Sequence, residues 1–372
     1  MRRLVALVLA LLGATFPVPV AHFFTVHTQS PRHAILITLD GVRTEEIFGG
    51  LDRAVLDSTA GQGAVEDLPV YKQYWAPTAE ERREKVMPFF WGTLMRVHGS
   101  IAGNRGRDSR FGVTNRHKFS YPGYAEILTG APHDDDIDSN DNKRYPFLTV
   151  LEFLRQSLGL PRELVGVFGS WETFNWIAEH EEGALTINAG YEAFETTDPV
   201  ARALSEAQFT AKTPWDSARH DAFTFGLALH YLKTVRPRAL YIAFDETDDW
   251  AHAKRYDRVL DSLARTDAQL QELWTWLQSD AEYRDNTVLM ITVDHGRGHT
   301  PDDWSSHGED VVRAEETWLA TIGPDWPKRG EWQLAPPAYT NQIAATLAKA
   351  LGLDFREAVP TAGAPIDFLW EK

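Results

Sequence analysis

Acidic and imidazole side chains follow three short apolar runs of the sequence. The runs and the residues after them are 33–39 with Asp40, 240–244 with Asp245, Asp248 and His252, and 288–293 with Asp294 and His295. A later loop adds His307. An Asp or His after a strand is by itself usually a capping, turn or packed residue. Gathered at one edge of a sheet, such groups would repel one another or lose hydration, and bound cations would remove that cost.

These ligand types suit zinc or a similar divalent ion, because they offer imidazole nitrogen and carboxylate oxygen and no sulfur. The set contains three His and four Asp, which overfills one tetrahedral site and is enough for two. Two ions about 3.5–4 Å apart can clamp the attacking and leaving oxygens of an in-line displacement at phosphorus. The residue types therefore predict a two-metal hydrolytic centre.

Such a centre also needs a nucleophile, and Ser120 is the best candidate. It lies in the segment 118–124, KFSYPGY, and precedes a run with helical character. The amide groups and the dipole at a helix start favour an anion such as a transferring phosphoryl group. The alternative is that Ser120 only caps the helix, which is the role of most serines before helices.

The elements that hold these residues are indicated by short apolar runs that alternate with longer stretches of helical periodicity. This alternation is typical of an α/β fold with a mostly parallel sheet and helices on both faces. In such sheets, ligands bind outside the carboxyl ends of the strands. We therefore expect the strands at 33–39, 240–244 and 288–293 to lie in one sheet, and we expect a helix over Ala79–Met95.

Composition excludes several other classes of protein. Lys and Arg total 37 against 53 Asp and Glu, and the net charge of -16 repels polyphosphate backbones, so no nucleic-acid partner is expected. The chain has no cysteine, which excludes thiolate zinc sites, iron–sulfur clusters, cysteine nucleophiles and disulfide scaffolds. Its 372 residues can bury a large core, as one large domain or two ordinary ones.

The N-terminal segment 1–21 has the pattern of an export signal. Arg2 and Arg3 supply positive charge, and residues 4–20 are apolar or small but broken by Gly13, Pro17 and Pro19. The run is too short and interrupted for a comfortable membrane span. We expect a signal peptide, with an uncleaved N-terminal anchor as the alternative, and hence a periplasmic or secreted protein. No stable membrane contact is expected unless this segment stays uncleaved.

Five motifs in a fixed order resemble the alkaline phosphatase superfamily, in its type I phosphodiesterase/nucleotide pyrophosphatase and sulfatase-like branch. The motifs are LITLDGV at 36–42, KFSYPGYAEILTG at 118–130, D-x-x-x-H from Asp248 to His252, TVDHGRG at 292–298 and SHGED at 306–310. The resemblance covers most of the chain from about residue 33. It implies a single alkaline-phosphatase-like catalytic domain over 33–372, a three-layer sandwich with insertions near 44–117 and 160–235.

Carried over residue by residue, the resemblance implies two metal sites. One ion would be held by Asp40, Ser120, Asp294 and His295, and the other by Asp248, His252 and His307. Ser120 takes the place of the family's Thr or Ser nucleophile. Asn140 matches the residue that helps to bind the transferred group, and Asn142 is its rival. We expect Asp245, Asp249 and His299 to be bystanders.

The function implied is an exported hydrolase of phosphate mono- or diesters, with two divalent ions, zinc by preference, and a phosphoserine at Ser120. The partner would be a small phosphate ester. Alternatives are a sulfate-ester or phosphonate-ester hydrolase on the same residues, a phosphoglycerate-mutase-like phosphotransferase, and a non-enzymatic sugar- or envelope-binding descendant.

Two departures from the family pattern bear on specificity. The family's pyrophosphatases have Asn-His after the proline of the nucleophile motif, where this chain has Gly123 and Tyr124. Sulfatases convert the first residue of C/S-x-P-x-R into an aldehyde, and here the Arg position is occupied by Tyr124. Aldehyde formation at Ser120 is therefore not expected.

Overall fold

A computed structural model describes residues 33–332 and 336–371, and the strands in this part of the chain form two sheets. The strands are β1 His33–Leu39, β2 Gly99–Ala102, β3 Phe111–Gly112, β4 Val165–Gly169, β5 Thr186–Ala189, β6 Ala239–Phe244, β7 Thr287–Thr292, β8 Glu316–Thr317, β9 Leu319–Ile322, β10 Gly330–Glu331 and β11 Ala338–Tyr339. Eight strands form the central sheet in the order β10-β2-β9-β7-β1-β6-β4-β5. The others form a small sheet in the order β11-β3-β8.

The central sheet is parallel except at β9, which runs antiparallel to both of its neighbours, β7 and β2. Strand β1 lies between β7 and β6 and is parallel to both. Thr38 pairs with Ala243 on one side and Thr292 on the other, so the three strands end at the same level. The prediction that these strands share one sheet is confirmed, and the residues that follow them leave the sheet at a common edge.

Both faces of the sheet are covered, which explains why its central strands are apolar throughout. Ala34 and Leu36 of β1 pack into a core with helices α5, α6, α7 and α12, whereas Ile35, Ile37 and Leu39 pack into a core with α1, α2, α9 and α11. The helices are α1 Thr44–Gly49, α2 Arg53–Thr59, α3 Pro69–Tyr74, α4 Ala79–Val86, α5 Ser120–Thr129, α6 Val150–Ser157, α7 Phe174–Ile177, α8 Pro199–Ala207, α9 Asp221–Val235, α10 Glu246–His252, α11 Tyr256–Ser279 and α12 Ile343–Ala350. The predicted three-layer α/β class is confirmed.

Several shorter helical segments join these elements. A π-helix spans Phe90–His98, and single 3₁₀ turns lie at Val65–Asp67, Arg105–Arg107, Arg162–Leu164, Thr340–Gln342, Phe355–Glu357 and Asp367–Leu369. The single helix predicted over Ala79–Met95 is wrong, because α4 ends at Val86. Pro88 lacks an amide hydrogen and disfavours helical geometry at the residue before it, and Met87 has φ -131° and ψ 70°.

The segments 44–117 and 160–235 are only in part the insertions that the sequence predicts. The first supplies β2 to the central sheet, and the second supplies β4 and β5. Strand β4 pairs directly with β6, next to a ligand-bearing strand end. The remainder of both segments is helix and loop around the sheet.

The predicted signal peptide or anchor at 1–21 lies outside the described residues. Within 33–332 and 336–371, none of the helices combines the length and apolar character that a transmembrane helix requires.

Candidate metal centre and nucleophile

Four side chains surround Nε2 of His295, which is the centre of what we call the inner half-site: Asp40, Ser120, Asp294 and His295. From this nitrogen, Asp294 Oδ2 lies at 3.3 Å, Asp40 Oδ1 at 3.4 Å and Ser120 Oγ at 3.4 Å. Asp248 Oδ1 lies slightly farther away, at 3.8 Å. Ligands at 2.0–2.1 Å from a tetrahedral ion are roughly 3.3 Å from one another, so this spacing suits a shared cation.

The inner carboxylates each have one tethered oxygen and one without a hydrogen bond. Asp40 Oδ2 accepts a bond from the Tyr124 hydroxyl at 2.9 Å, and Asp294 Oδ1 accepts one from the amide of Gly41 at 3.1 Å. Asp40 Oδ1 and Asp294 Oδ2 are buried and accept no hydrogen bond from any described residue. Buried oxygens without a partner are costly, and these two are the atoms that lie beside His295 Nε2. The donor set therefore fits a divalent cation.

His295 is oriented for the same purpose by its other ring nitrogen. Nδ1 lies 2.9 Å from the carbonyl oxygen of Gly296 and can donate a hydrogen bond to it. With the proton on Nδ1, the lone pair of Nε2 faces the carboxylate oxygens. A hydrogen bond from the second ring nitrogen is the usual support of a metal-binding histidine.

Asp248, His252 and His307 form a second group, which we call the outer half-site. Asp248 and His252 are four residues apart on α10 and so lie on one face of that helix. His252 Nε2 is 3.1 Å from Asp248 Oδ2 and 2.9 Å from His307 Nε2. Asp248 also belongs to a metal-capable group with Asp40 and His295. The Asp248 carboxylate thus lies between the two half-sites, with Oδ2 near His252 and Oδ1 near both His295 and His307.

The electrostatics of the cluster show an excess of buried negative charge. Burial raises the pKa of Asp294 well above its ordinary value, and the Asp40 carboxylate raises it further. Burial lowers the pKa of His295, but Asp294 and Asp40 outweigh this and bring it to about 9. Burial, and then the charges of His295 and Arg297, lower the pKa of His307. The raised pKa values favour proton binding at the inner half-site, and a bound cation would replace those protons.

Ser120 is the first residue of α5, and the capping position is occupied by Phe119. The alternative that Ser120 is only a cap does not match this geometry. Its side chain is buried, and its hydroxyl lies within hydrogen-bonding distance of His295 Nε2. The helix start and the inner half-site therefore meet at this oxygen.

Asn140, and not Asn142, lies beside the start of α5. Asn140 Oδ1 accepts a hydrogen bond of 2.9 Å from the amide of Tyr121, the residue after Ser120. The amide of Asn142 is bonded elsewhere, to Glu172 and Thr173. The geometry favours Asn140 as the substrate-binding residue, because its NH₂ group stays available.

The three predicted bystanders belong to neither metal-capable group. Asp245 and Asp249 are nevertheless close to the cluster. Burial and then the Asp249 carboxylate raise the pKa of Asp245, and Asp40 raises it further. His299 follows the Gly-rich turn after β7.

Arg297 is a functional residue that sequence reasoning missed, although it lies within the motif at 292–298. Its guanidinium is fully buried and donates to the carbonyl oxygens of Gly41 at 3.1 Å and Ser305 at 2.6 Å. It also contacts the Asp248 carboxylate. The Arg297 side chain thus links the turn after β1, helix α10 and the loop that contains Ser305. A buried arginine within a motif of candidate metal ligands was the signal available in the sequence.

Glu126 on α5 is a second residue that was missed. This fully buried carboxylate accepts hydrogen bonds from the backbone and side chains of Thr114 and Asn115, from the Thr340 hydroxyl and from the amide of Asn341. It fixes the loop that leads into Ser120. An acidic residue inside an otherwise apolar helix was the sequence signal.

Two glycines permit close contacts around the site. Gly41 has φ +59°, and a Cβ there would lie 2.8 Å from atoms of Arg297 and Asp248. A Cβ at Gly123 would lie 2.4 Å from the carbonyl oxygen of Asp294. Helix α5 can therefore approach the inner half-site only because residue 123 has no side chain.

Comparison with known proteins gives a family match and a shared fold. The family model for type I phosphodiesterase/nucleotide pyrophosphatase matches residues 170–353. No curated protein sequence matches the chain significantly. Similar solved structures include a phosphonate monoester hydrolase from Silicibacter pomeroyi, with a TM-score of 0.56 and 13% identity over 92% of this chain and 77% of that one.

Two further structures share the fold. The alkaline phosphatase PafA has a TM-score of 0.57 and 10% identity over 91% of this chain and 99% of that one. The 2-O GAG sulfatase BT1596 has a TM-score of 0.52 and 14% identity over 92% of this chain and 75% of that one.

The class defined by this fold and these ligand residues is that of the metal-dependent ester hydrolases. Within that class, the family match over residues 170–353 and the shared fold link the chain to the alkaline phosphatase superfamily. The predicted superfamily and enzyme class are confirmed.

Proposed function

We propose that this chain is an exported two-metal hydrolase of small phosphate mono- or diesters with Ser120 as its nucleophile. The observation that carries the proposal is the convergence of Ser120 Oγ and the inner carboxylate oxygens on His295 Nε2 within 3.3–3.4 Å. A serine in that position would lie next to the ion that these residues hold, and that ion would activate it.

The inner half-site would hold one ion and the outer half-site the other, and the mixture of imidazole nitrogen and carboxylate oxygen suits zinc. Bound divalent ions supply Lewis acidity and lower the pKa of oxygen that contacts them. Ser120 would then bond through its oxygen to phosphorus while the bond from phosphorus to the leaving oxygen breaks. The proton of Ser120 would pass through water to the leaving oxygen, which departs as the alcohol. Water next cleaves the phosphoserine and restores the Ser120 hydroxyl.

The start of α5 and Asn140 would bind the non-reacting oxygens of the phosphoryl group. The first amides of a helix have no partner within the helix and point at bound anions. Asn140 uses its Oδ1 on Tyr121 and can donate from its NH₂ group. Donors placed in this way stabilise the charge that develops in the transition state.

The test is Ser120→Ala, assayed on an aryl phosphate, a bis-aryl phosphate and an aryl sulfate together with metal analysis. We expect turnover of phosphate esters to fall by on the order of 10³-fold or more, as for loss of other nucleophiles. The fold should persist, and the phosphoserine mass shift on the peptide that contains residue 120 should disappear.

The control is Ser139→Ala, which removes a hydroxyl from the same rim without touching a ligand residue, and whose turnover should stay parental. Near-parental turnover of Ser120→Ala on all three substrates would exclude the serine mechanism. If the parental enzyme cleaves the aryl sulfate much faster than both phosphates, the result would favour the sulfatase alternative, which uses the same residues.

Export is a separate part of the proposal and rests on the N-terminal pattern. We expect the protein in the periplasm or the medium, with its mature N-terminus close to residue 21. Fractionation and N-terminal sequencing test this, and full-length protein in the cytoplasmic fraction would contradict it.

A further inference from the structure

The hydroxyl of Tyr124 makes one hydrogen bond to a ligand residue of the inner half-site. It donates to Asp40 Oδ2 at 2.9 Å. The Tyr124 side chain is fully buried, and its ring packs edge-on against Phe174 with centroids 4.7 Å apart. A buried tyrosine hydroxyl usually has one defined partner, and here that partner is a metal-ligand carboxylate.

This bond determines which oxygen of Asp40 is available. With Oδ2 held by Tyr124, the plane of the carboxylate is fixed and Oδ1 lies 3.4 Å from His295 Nε2. Oδ1 is buried and accepts no hydrogen bond from the described residues. Without the tether, the carboxylate could rotate and face its neighbours with either oxygen.

Tyr124 also connects this ligand to the nucleophile. It lies four residues after Ser120 on α5, so both side chains project from the same face of one helix. Gly123 lets that face approach Asp294 closely. A change in the position of α5 would therefore move the nucleophile and the tether of Asp40 together.

We propose that Tyr124 is a positioning residue that orients Asp40 and thereby sets the metal affinity of the inner half-site, an inference that rests on the proposed function. In the outer half-site, the comparable contact among the described residues is that of Arg297 with Asp248, and none of these contacts involves Tyr124. The effect of Tyr124 should therefore be confined to one of the two ions.

The test is a zinc titration of metal-free protein by calorimetry, comparing the parental chain with Tyr124→Phe. Loss of a partner of a metal ligand typically weakens binding by about 10–100-fold. We expect that loss at one of two sites, with the other unchanged. Excess zinc should restore much of the kcat of Tyr124→Phe, which it could not do if the variant were merely misfolded.

The matched control is Tyr241→Phe. Tyr241 is equally buried, packs against the same Phe174, and bonds to the hydroxyl of Thr38 at 3.0 Å instead of to a ligand. It should lose similar stability and keep both zinc affinities. If Tyr124→Phe has a low melting temperature, the zinc titration is run 10 °C below that temperature. The two sites of the same folded protein can then still be compared by the ratio of their zinc affinities.

The outcomes separate this inference from the proposed function. Two parental zinc affinities in Tyr124→Phe, or equal weakening of both sites, would overturn the role of Tyr124 and leave the hydrolase proposal intact. A parental chain that binds no zinc, or a fully active Ser120→Ala, would contradict the hydrolase proposal itself.

Discussion

The inner and outer half-sites hold the same kinds of ligand in opposite surroundings. Asp40, Asp294 and His295 are almost completely buried, and each is tied to the protein through a second atom. His252 of the outer half-site has a side chain that is 50% exposed, and its Nε2 atom contacts Asp248 and His307, the other members of that half-site. The comparison teaches that one half-site is shaped by its protein environment, whereas the other depends on the ion it would bind.

Access to the site follows from the same difference. A substrate must approach from the side where water reaches the ligands, which is the side of His252. In the proposed mechanism, the substrate would then meet Ser120 beside the buried half-site, where the Ser120 side chain has little contact with water. Electrostatic interactions are stronger there, because fewer water molecules screen them.

His295→Ala would break the inner half-site and has the largest expected effect. It removes the nitrogen that three carboxylates and Ser120 surround. We expect kcat/KM for an aryl phosphate to fall by on the order of 10³-fold or more. Binding of one zinc ion, measured by metal analysis after gel filtration, should be lost. Retention of two ions would contradict the assignment.

His252→Ala would break the outer half-site with less effect on the fold. Because the side chain is half exposed, the unfolding free energy of the metal-free protein should change by about 0.5 kcal/mol or less. Activity should fall by about 10²-fold and recover in part with added zinc. His299→Ala is the matched control and should leave activity and metal content unchanged; a loss equal to that of His252→Ala would exchange their roles.

The two half-sites should also lose their ions at different times. During dialysis against a chelator, the ion of the exposed half-site should leave first, because water and chelator reach its ligands directly. Metal content and activity sampled together should show a one-ion species before the metal-free protein. Simultaneous loss of both ions would show that the half-sites act as one unit.

Arg297→Lys has the smallest expected effect of the four. Lysine keeps the charge near Asp248 but cannot bond at once to the carbonyl oxygens of Gly41 and Ser305. We expect a fall in kcat of about 10-fold and weaker zinc binding at both half-sites, since Asp248 faces each of them. A change confined to the inner half-site would contradict the shared position of Asp248.

Much of the site could be predicted from sequence because strand register determines it. Parallel strands that end level bring Asp40 and Asp294 together, and the spacing of Asp248 and His252 gives one helix face. Metal binding by these residues stays a prediction. The position of His307 could not be derived in this way, because the loop after β7 has no periodicity to fix its path.

The errors have equally physical causes. The segment 160–235 reads as an insertion because it carries no motif of the family, yet its strands β4 and β5 enter the central sheet through their own backbone and apolar faces. In the sequence, Tyr124 stands out only as a departure from a motif. Its distance of four residues from Ser120 already placed it on the same helix face, but only the structure shows that its hydroxyl reaches Asp40.

The register of the central strands also has a consequence for how the protein matures. The Thr247 hydroxyl bonds to the carbonyl of Asp40 across 207 residues, and the amide of Gly41 bonds to Asp294 across 253. A growing chain cannot make the first bond before Thr247 has been synthesised, or the second before β7 and Asp294 have been synthesised. Pairings of such long range are costly in loop entropy and form late. We therefore expect any ions at the proposed metal sites to come from the compartment where folding is completed.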